Sequence, residues 1–565
     1  MVDDTRGSLD DVECHSCSVM IVGGGPTGLT LSALLSQYGI ASILVEAHPG
    51  TCDHPQGHVV NSRSCEIFRA LGCLDEVLKQ ADLTFAMNVY FMTGLAGDTL
   101  AMFNPTHDRE RVQARLAMSP CVPLSCPQDI LEPILADQAS QGPGQLWFSA
   151  ELVALEQNDA GAVATIMRAG QQHKVASRWV VGCDGAASPT RHMVGITMEG
   201  PESLAGVMGI YFHADLSACL GDKPAVLYWV IDGEFPATVI NLGHNRYVAH
   251  VGWDADTESV SEFSSARCAE IVDHIVGDAA VSVEIRSVRP WVMTAQIATA
   301  YRQGSVFLAG DAAHRFPPTG GFGLNTGVQD AHNLAWKLAL VDQGCADEKL
   351  LDTYQPERQP VAAANSDFSL RNAAGMSSVM GPGAKIQGQR LADGEVTLAE
   401  LSSEIQTLLD KEAGHFDPPG RELGYLYTSA AVVPDGSMAP EVEDADRDYI
   451  PCATPGARAP HMWVQIGSHR CSTLDLFYNR FTVLTDVTAA AAWRAAAEQA
   501  SVPVTVIVIG EDVQCDVDQW QTLYACHAVL VRPDGHVAWR AATAPPDIAI
   551  TLEQVLGQVM CRAVG

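Results

Sequence analysis

Three glycines, Gly23-x-Gly25-x-x-Gly28, lie between a strand-like apolar run, Ser18 to Gly23, and a stretch with helical apolar spacing, Pro26 to Tyr38. Strand, glycine turn and helix in that order open a βαβ unit. The glycines permit a tight turn, and their missing side chains let a pyrophosphate reach the helix N-terminus. Ala41 to Glu46 reads as the second strand. Glu46 ends it about twenty residues after the glycines, the place from which a carboxylate accepts hydrogen bonds from an adenosine ribose. Gly23, Gly25, Pro26, Thr27, Gly28 and Glu46 are therefore candidate dinucleotide-binding residues on a parallel sheet.

Helical patterns at Ser64 to Leu71, Asp75 to Gln80 and Gln128 to Ala139 flank that sheet. From about Gly206 to Trp253 the pattern changes to alternating, aromatic-rich runs, which predicts a separate antiparallel sheet. Ser305 to Ala309 is again a short buried strand and Asn325 to Val341 a long helix, so the chain returns to its first domain, which is discontinuous. Gly/Pro-rich turns and one acidic helix near Leu398 to Lys411 make a connector, and a small α/β domain closes the sequence. At 565 residues the chain exceeds what one core supports, so several domains are expected.

The formal charge of −33 opposes nucleic acid and anionic membrane surfaces as partners. The N-terminus carries acid where a secretory signal carries base, and glycines break the apolar stretch Ser18 to Leu35; neither a signal peptide nor a membrane span is expected. Sixteen scattered cysteines then read as reduced thiols in the cytoplasm. One CxxC, Cys14-His15-Ser16-Cys17, lacks a second ligand pair, and no metal is expected.

Two further motifs accompany the glycine turn: Val180-Val-Gly-Cys183-Asp184-Gly185-Ala-Ala-Ser188-Pro-Thr-Arg191, and Gly310-Asp311-Ala-Ala-His314-Arg-Phe-Pro317-Pro318-Thr-Gly320-Gly321-Phe-Gly323-Leu324-Asn325. Together the three resemble the class A flavoprotein monooxygenases, the group of para-hydroxybenzoate hydroxylase and phenol hydroxylase, over roughly Val19 to Leu340. The tail resembles the thioredoxin-like C-terminal domain of phenol hydroxylases, through Pro455 to His461 and Val531 to Trp539, although it lacks a CxxC. The fold implied is α/β: an FAD-binding Rossmann-like domain (residues 1–80, 116–200 and 288–371), an inserted antiparallel-sheet substrate domain (81–115 and 201–287), a connector (372–449) and a C-terminal thioredoxin-like domain (450–565).

The resemblance assigns Asp311 to the ribityl chain of FAD, and Gly310, Pro318, Gly321, Gly323, Leu324 and Asn325 to a glycine-rich entry into a helix that stabilises charge on reduced flavin. It gives Gln128 a flavin contact, and Asp184 and Arg191 a part in binding both FAD and a transient NAD(P)H; an Asp184–Arg191 ion pair bracing the fold is the alternative. In Pro55-Gln56-Gly57-His58-Val-Val-Asn61-Ser62-Arg63, Gln56 replaces a family arginine, leaving Arg63 as the candidate pyrophosphate contact. His58 falls where relatives place a polar group facing substrate and flavin. Its ordinary pKa suits it to deprotonating a phenol.

The activity implied is hydroxylation of a phenolic or polycyclic aromatic substrate with NAD(P)H and dioxygen through a flavin C4a-hydroperoxide. A Baeyer–Villiger or epoxidising flavoprotein, or a non-catalytic FAD-bound sensor, are the alternatives. Tyr211, His213, Tyr228, Trp229 and His250 are the substrate-wall candidates, about two of which are expected to line the pocket; Tyr228 and Trp229 must point to opposite faces. The C-terminal domain, without a thiol pair, is expected to serve structure, packing or a homodimer contact.

Overall fold

The computed structural model describes residues 13–81, 87–104, 108–254 and 258–562. Its first sheet has eight strands. Val306–Leu308, Gln171–Gly182, Glu13–Val22, Ser42–Val45 and Gln145–Trp147 run parallel in that spatial order, and the hairpin Ala150–Asn158/Gly161–Arg168 folds onto the long third-motif neighbour Gln171–Gly182. Val19 to Val22 are buried on both faces, which explains their continuous apolar run. Val19 and Ile21 pack against the helices Pro26–Gln37 and Phe322–Asp342, while Met20 and Val22 pack against the hairpin. The first strand starts at Glu13, five residues before the expected Ser18, because its polar N-terminal half pairs with His173 to Ser177.

The second sheet has seven strands in the order Glu284–Met293, Ala205–His213, Arg246–Trp253, Ala237–Asn241, Leu227–Val230, Val89–Met92 and Thr99–Phe103. One pair, Leu227–Val230 with Val89–Met92, is parallel, since these strands come from the two separate insertions. The edge strand runs to Met293, past the expected domain boundary at 287. Helix Ser265–Val276 covers one face with Phe212, Tyr228 and Tyr247 beneath it. The connector covers part of the other: Leu401, Ile405 and Leu409 of helix Leu398–Lys411 pack over Phe91 and Trp229. Residues 372–449 therefore complete the substrate domain as well as linking it.

The C-terminal sheet orders Val504–Val508, Phe481–Thr485, Ala528–Val531 and Val537–Ala541, parallel once and antiparallel twice, flanked by three helices. It docks on the first domain through buried charge. Glu66 receives both Arg63 (3.0 Å) and Arg458. Glu357 receives Lys337 (2.8 Å) and both terminal nitrogens of Arg532 (2.6 and 3.0 Å). Burial alone raises the Glu357 carboxyl, but Arg532 and Lys337 outweigh it and hold that carboxyl well below the usual range. No helix among the described residues is long and apolar enough to cross a membrane.

Candidate active site

The glycine turn is shaped by contact. A Cβ on Gly23, whose φ is +106°, would lie 2.3 Å from the Cys183 carbonyl oxygen, so this residue lets the ends of the first- and second-motif strands meet. A Cβ on Gly28 would lie 2.1 Å from the Gly23 oxygen, so only glycine lets the helix start this close. Gly25 is different: nothing nearer than the Glu132 carboxylate at 4.0 Å would touch its Cβ, and the helix behind it has no side-chain cap. It leaves bare backbone and orphan N–H groups, a cradle fit for a pyrophosphate. Glu46 accepts from the Gly24 N–H at 2.7 Å and the His48 N–H at 2.8 Å, and its carboxylate edges the same turn.

Thr27 interlocks the first and third motifs, lying where a Cβ on either Gly310 or Gly327 would be, at 2.6 and 2.2 Å. Gly310, with φ +62°, donates to Asp330, which also receives His314 (2.6 Å) and Arg358 (2.7 Å), so a fully buried charge cluster fixes the turn. Asp311, the next residue, is exposed and has no hydrogen bond from the described residues. Crowding by surrounding protein raises its carboxyl, with His314 and Arg315 opposing that shift. Pro318 accepts the Gly321 N–H, and Gly321, with φ +68°, starts the helix Phe322–Asp342, again without a side-chain cap. Gly323 is open and Leu324 faces Gly57. The donor set, bare backbone at two helix starts and two carboxylates between them, fits FAD.

Several candidates are otherwise engaged. The Asn325 side chain is fully buried and ties Asn61 N–H, Val59 carbonyl and Gly321 carbonyl together, so only its backbone lies near the helix start. Gln128 bridges Gly57 N–H (3.3 Å) and Glu132 (2.6 Å), shaping the wall beside Gly25. Asp184 caps the helix Pro189–Met193 through Ser188 and the Thr190 N–H. Arg191 forms no ion pair with it. Both terminal nitrogens bond the Ala312 and Ala186 carbonyls, joining the second motif to the third. Arg63 is turned away from the cradle: its guanidinium bonds Glu66 and the Asp534 carbonyl across the interface with the C-terminal domain. The expected pyrophosphate contact from Arg63 is corrected to a domain-docking role.

The candidate substrate wall is the face of the second sheet opposite helix Ser265–Val276. Register places Gly209, His250, Arg289 and Thr238 side by side on that face, with Tyr211, Val248 and Ser287 in the next row. Against it stands the segment 54–63. His54 bonds Ser287 at 2.7 Å and meets Tyr211 edge-on, and His58 bonds Ser125 at 3.2 Å. His54 and His250 both flank Gly209, each 3.7 Å from where its Cβ would be, and His250 meets Trp291. Tyr211 and His213 are hydrogen-bonded at 3.0 Å, and Arg246 closes the row on Asp129 at 2.7 Å. Tyr228 faces the other way, under helix Ser265–Val276 with its hydroxyl on the Lys223 carbonyl, so it is corrected from substrate wall to core. Trp229 shares the inner face but is buried with Phe91 and Phe416 beneath the connector helices. Sequence reasoning passed over His54, Ser125 and Ser287; the imidazole one residue before Pro55 was the available signal.

Burial pushes His54, His58 and His250 each down to about 4; Arg289 adds to this at His54, His250 at His58, and His54 at His250. These folded values lie below the ordinary 6.5, so the unfolded chain binds more protons on acidification. Their contribution to stability is complete above about pH 6.5 and is lost as pH falls towards about 4. Unfolding followed by release of flavin fluorescence should show a melting temperature that declines across that window, and His54→Gln should make the decline shallower. A flat profile from pH 6.5 to 4 would count against three neutral imidazoles.

A dinucleotide cradle opening onto an aromatic, imidazole-lined sheet defines the class: a flavoprotein that works on a ring held beside its flavin. Residues 16–369 match the model of the FAD binding domain family, and residues 453–563 that of the aromatic-ring hydroxylase C-terminal domain. The chain is 34% identical to tetracenomycin A2 monooxygenase-dioxygenase of Streptomyces glaucescens, over 97% of each chain. It is 33% identical to 2,4-dichlorophenol 6-monooxygenase of Delftia acidovorans, over 93% of this chain and 94% of the relative. Among solved structures, the flavin-dependent monooxygenase PieE with FAD and substrate superposes with a TM-score of 0.89 at 35% identity, over 97% of this chain and 99% of that one. Aklavinone-11 hydroxylase with FAD and aklavinone gives 0.83 at 31%, over 98% and 100%. The chain belongs to the FAD-binding aromatic-ring hydroxylases, the class A flavoprotein monooxygenases; it is an FAD-dependent, NAD(P)H-using enzyme that hydroxylates aromatic rings.

Proposed function

We propose that this enzyme hydroxylates a polycyclic phenol lying flat along the inner face of the seven-stranded sheet, with dioxygen as co-substrate. The observation that carries this reading is the spread of the wall. Its facing residues run from Ser287 and Trp291 on the edge strand through Tyr211 and His250 to Ile240 and Leu227, across five strands. Four strand spacings amount to roughly 19 Å, room for several fused rings. Named relatives that act on tetracenomycin A2 and aklavinone support the same size class.

Bound FAD supplies hydride acceptance from NAD(P)H and the activation of dioxygen. The chain's own part is placement and proton handling. Gly25 to Gly28 would hold the pyrophosphate, Glu46 the ribose and Asp311 the ribityl chain, while Tyr211, His250 and Trp291 would exclude water from the ring's surroundings. His58, half-buried and bonded to Ser125, is neutral at neutral pH. With a pKa near 4 it is too weak a base to hold a phenolic proton, and it serves as a hydrogen-bond relay that passes the proton onward through Ser125.

His58→Ala should therefore keep FAD and still accept hydride from NAD(P)H, yet give about 10²-fold less hydroxylated product per turnover, with the difference appearing as hydrogen peroxide. Raising the pH should restore part of the lost coupling, since the phenol then ionises unaided. The readout is product gaining one oxygen atom per NAD(P)H consumed, for a single-ring phenol beside a tetracyclic one. Coupling equal to the parent at neutral pH removes His58 from the mechanism, and better coupling with the single ring removes the polycyclic assignment.

A further inference from the structure

The CxxC at the start of the chain sits inside a strand, which changes what it can do. Cys14 and Cys17, three apart, point to opposite faces of Glu13–Val22 and cannot grip one ion together. Glu13 and His15, two apart, share a face, and the parallel register sets His173 directly beside Glu13. We propose that Glu13, His15 and His173 form a zinc-class metal site at the outer end of the first sheet, remote from the flavin.

Geometry carries the proposal. His15 Nε2 lies 3.4 Å from His173 Nδ1 and 3.6 Å from Glu13 Oε1, and His173 Nδ1 lies 3.5 Å from Glu13 Oε2. A tetrahedral zinc ion with bonds of about 2.0–2.1 Å holds its ligand atoms roughly 3.3–3.4 Å apart, which is the spacing of the two imidazole nitrogens; Glu13 turns a different oxygen to each, and with one atom taken from each residue the three lie within 4.8 Å of one another. As a hydrogen bond between two imidazoles, 3.4 Å is long. Trp147, nearly fully buried, fixes both rings: it meets His15 edge-on at 4.7 Å and His173 at 5.9 Å, and Arg168 covers its other side. The ligands grade from buried His173 through half-buried His15 to exposed Glu13, so a fourth position opens to water. Two imidazoles and a carboxylate suit zinc rather than calcium or magnesium. A metal here staples the first strand to its neighbour, ten residues ahead of Gly23, and so fixes the register that sets the glycine turn against Cys183.

The test uses the FAD-loaded full chain, stripped with a chelator, desalted and equilibrated against buffered free zinc. The parent and Cys14→Ser should retain one more zinc per chain than His15→Ala, His173→Ala and Glu13→Gln, with affinity reduced at least about tenfold in those three. Flavin content should match in all five, which reports that each is folded; Glu13→Gln and His15→Ala, at the exposed end, carry the test if His173→Ala does not fold. Zinc X-ray absorption should give nitrogen and oxygen ligands near about 2.0 Å and no sulfur near about 2.3 Å. Equal zinc uptake by the parent and His15→Ala, sulfur in the zinc shell, or no uptake by the parent each overturns the site.

Discussion

Asp311→Ala is expected to emerge from desalting with most of its flavin gone while remaining folded. The carboxylate is exposed and has no hydrogen bond from the described residues, so removing it strands no protein donor. The loss falls on the ligand instead. A charged acceptor facing hydroxyls contributes about 1.5–3 kcal/mol, which corresponds to FAD affinity weaker by roughly 10- to 100-fold. Asp311→Asn keeps an acceptor without the charge and should fall between. The measurements are the flavin-to-protein ratio after desalting and a titration followed by flavin fluorescence. A fully loaded alanine variant would show that Asp311 only ends the turn. Asp330 offers the contrast: it holds Gly310, His314 and Arg358 together in the core, so its removal should damage the fold before it reports on the cofactor.

Arg532→Ala is expected to be the most destabilising single change. Arg532 is fully buried, and its guanidinium engages Glu357 through both terminal nitrogens and Asp534 as well. Alanine leaves two acids in the interior with one lysine between them; breaking such a buried set costs about 3–5 kcal/mol, a large part of a typical folding free energy. Soluble yield should fall, and whatever is recovered should melt well below the parent. Lys337→Met should be milder because Glu357 keeps its paired arginine bonds; burial already pulls this lysine down to about 8 against the pull of Glu357. Identical melting of Arg532→Ala and the parent would show that the interface tolerates unpaired acids.

The sequence was most readable where local rules act alone. Helices Gln128–Ala139 and Leu398–Lys411 begin and end as expected, and the glycine turn joins the strand and helix its spacing predicts, although Gly23 itself is fixed by the distant Cys183. The hairpin between 150 and 168 went unread, since its strands carry no aromatic residue and the first ends in the exposed polar run Glu156-Gln157-Asn158. In the site, pairing parity separated Tyr228 from Trp229, but parity does not say which face meets the flavin. That depends on where helix Ser265–Val276 packs. Arg63 was misassigned for a related reason: its carbonyl partner on Asp534 lies 471 positions along the chain, and no window on the sequence contains both.

Glu66 stands on the helix that directly follows the site segment 54–61; Arg63 is its near neighbour, but its second arginine, Arg458, comes 392 residues later. At synthesis rates of about 5–20 residues per second, that second arginine emerges from the ribosome roughly 20–80 seconds after the carboxylate. Glu357 has Lys337 before it in the chain and waits likewise for its arginine, Arg532. A nascent chain that has already released the three motifs thus still lacks the two arginines that complete its domain interface.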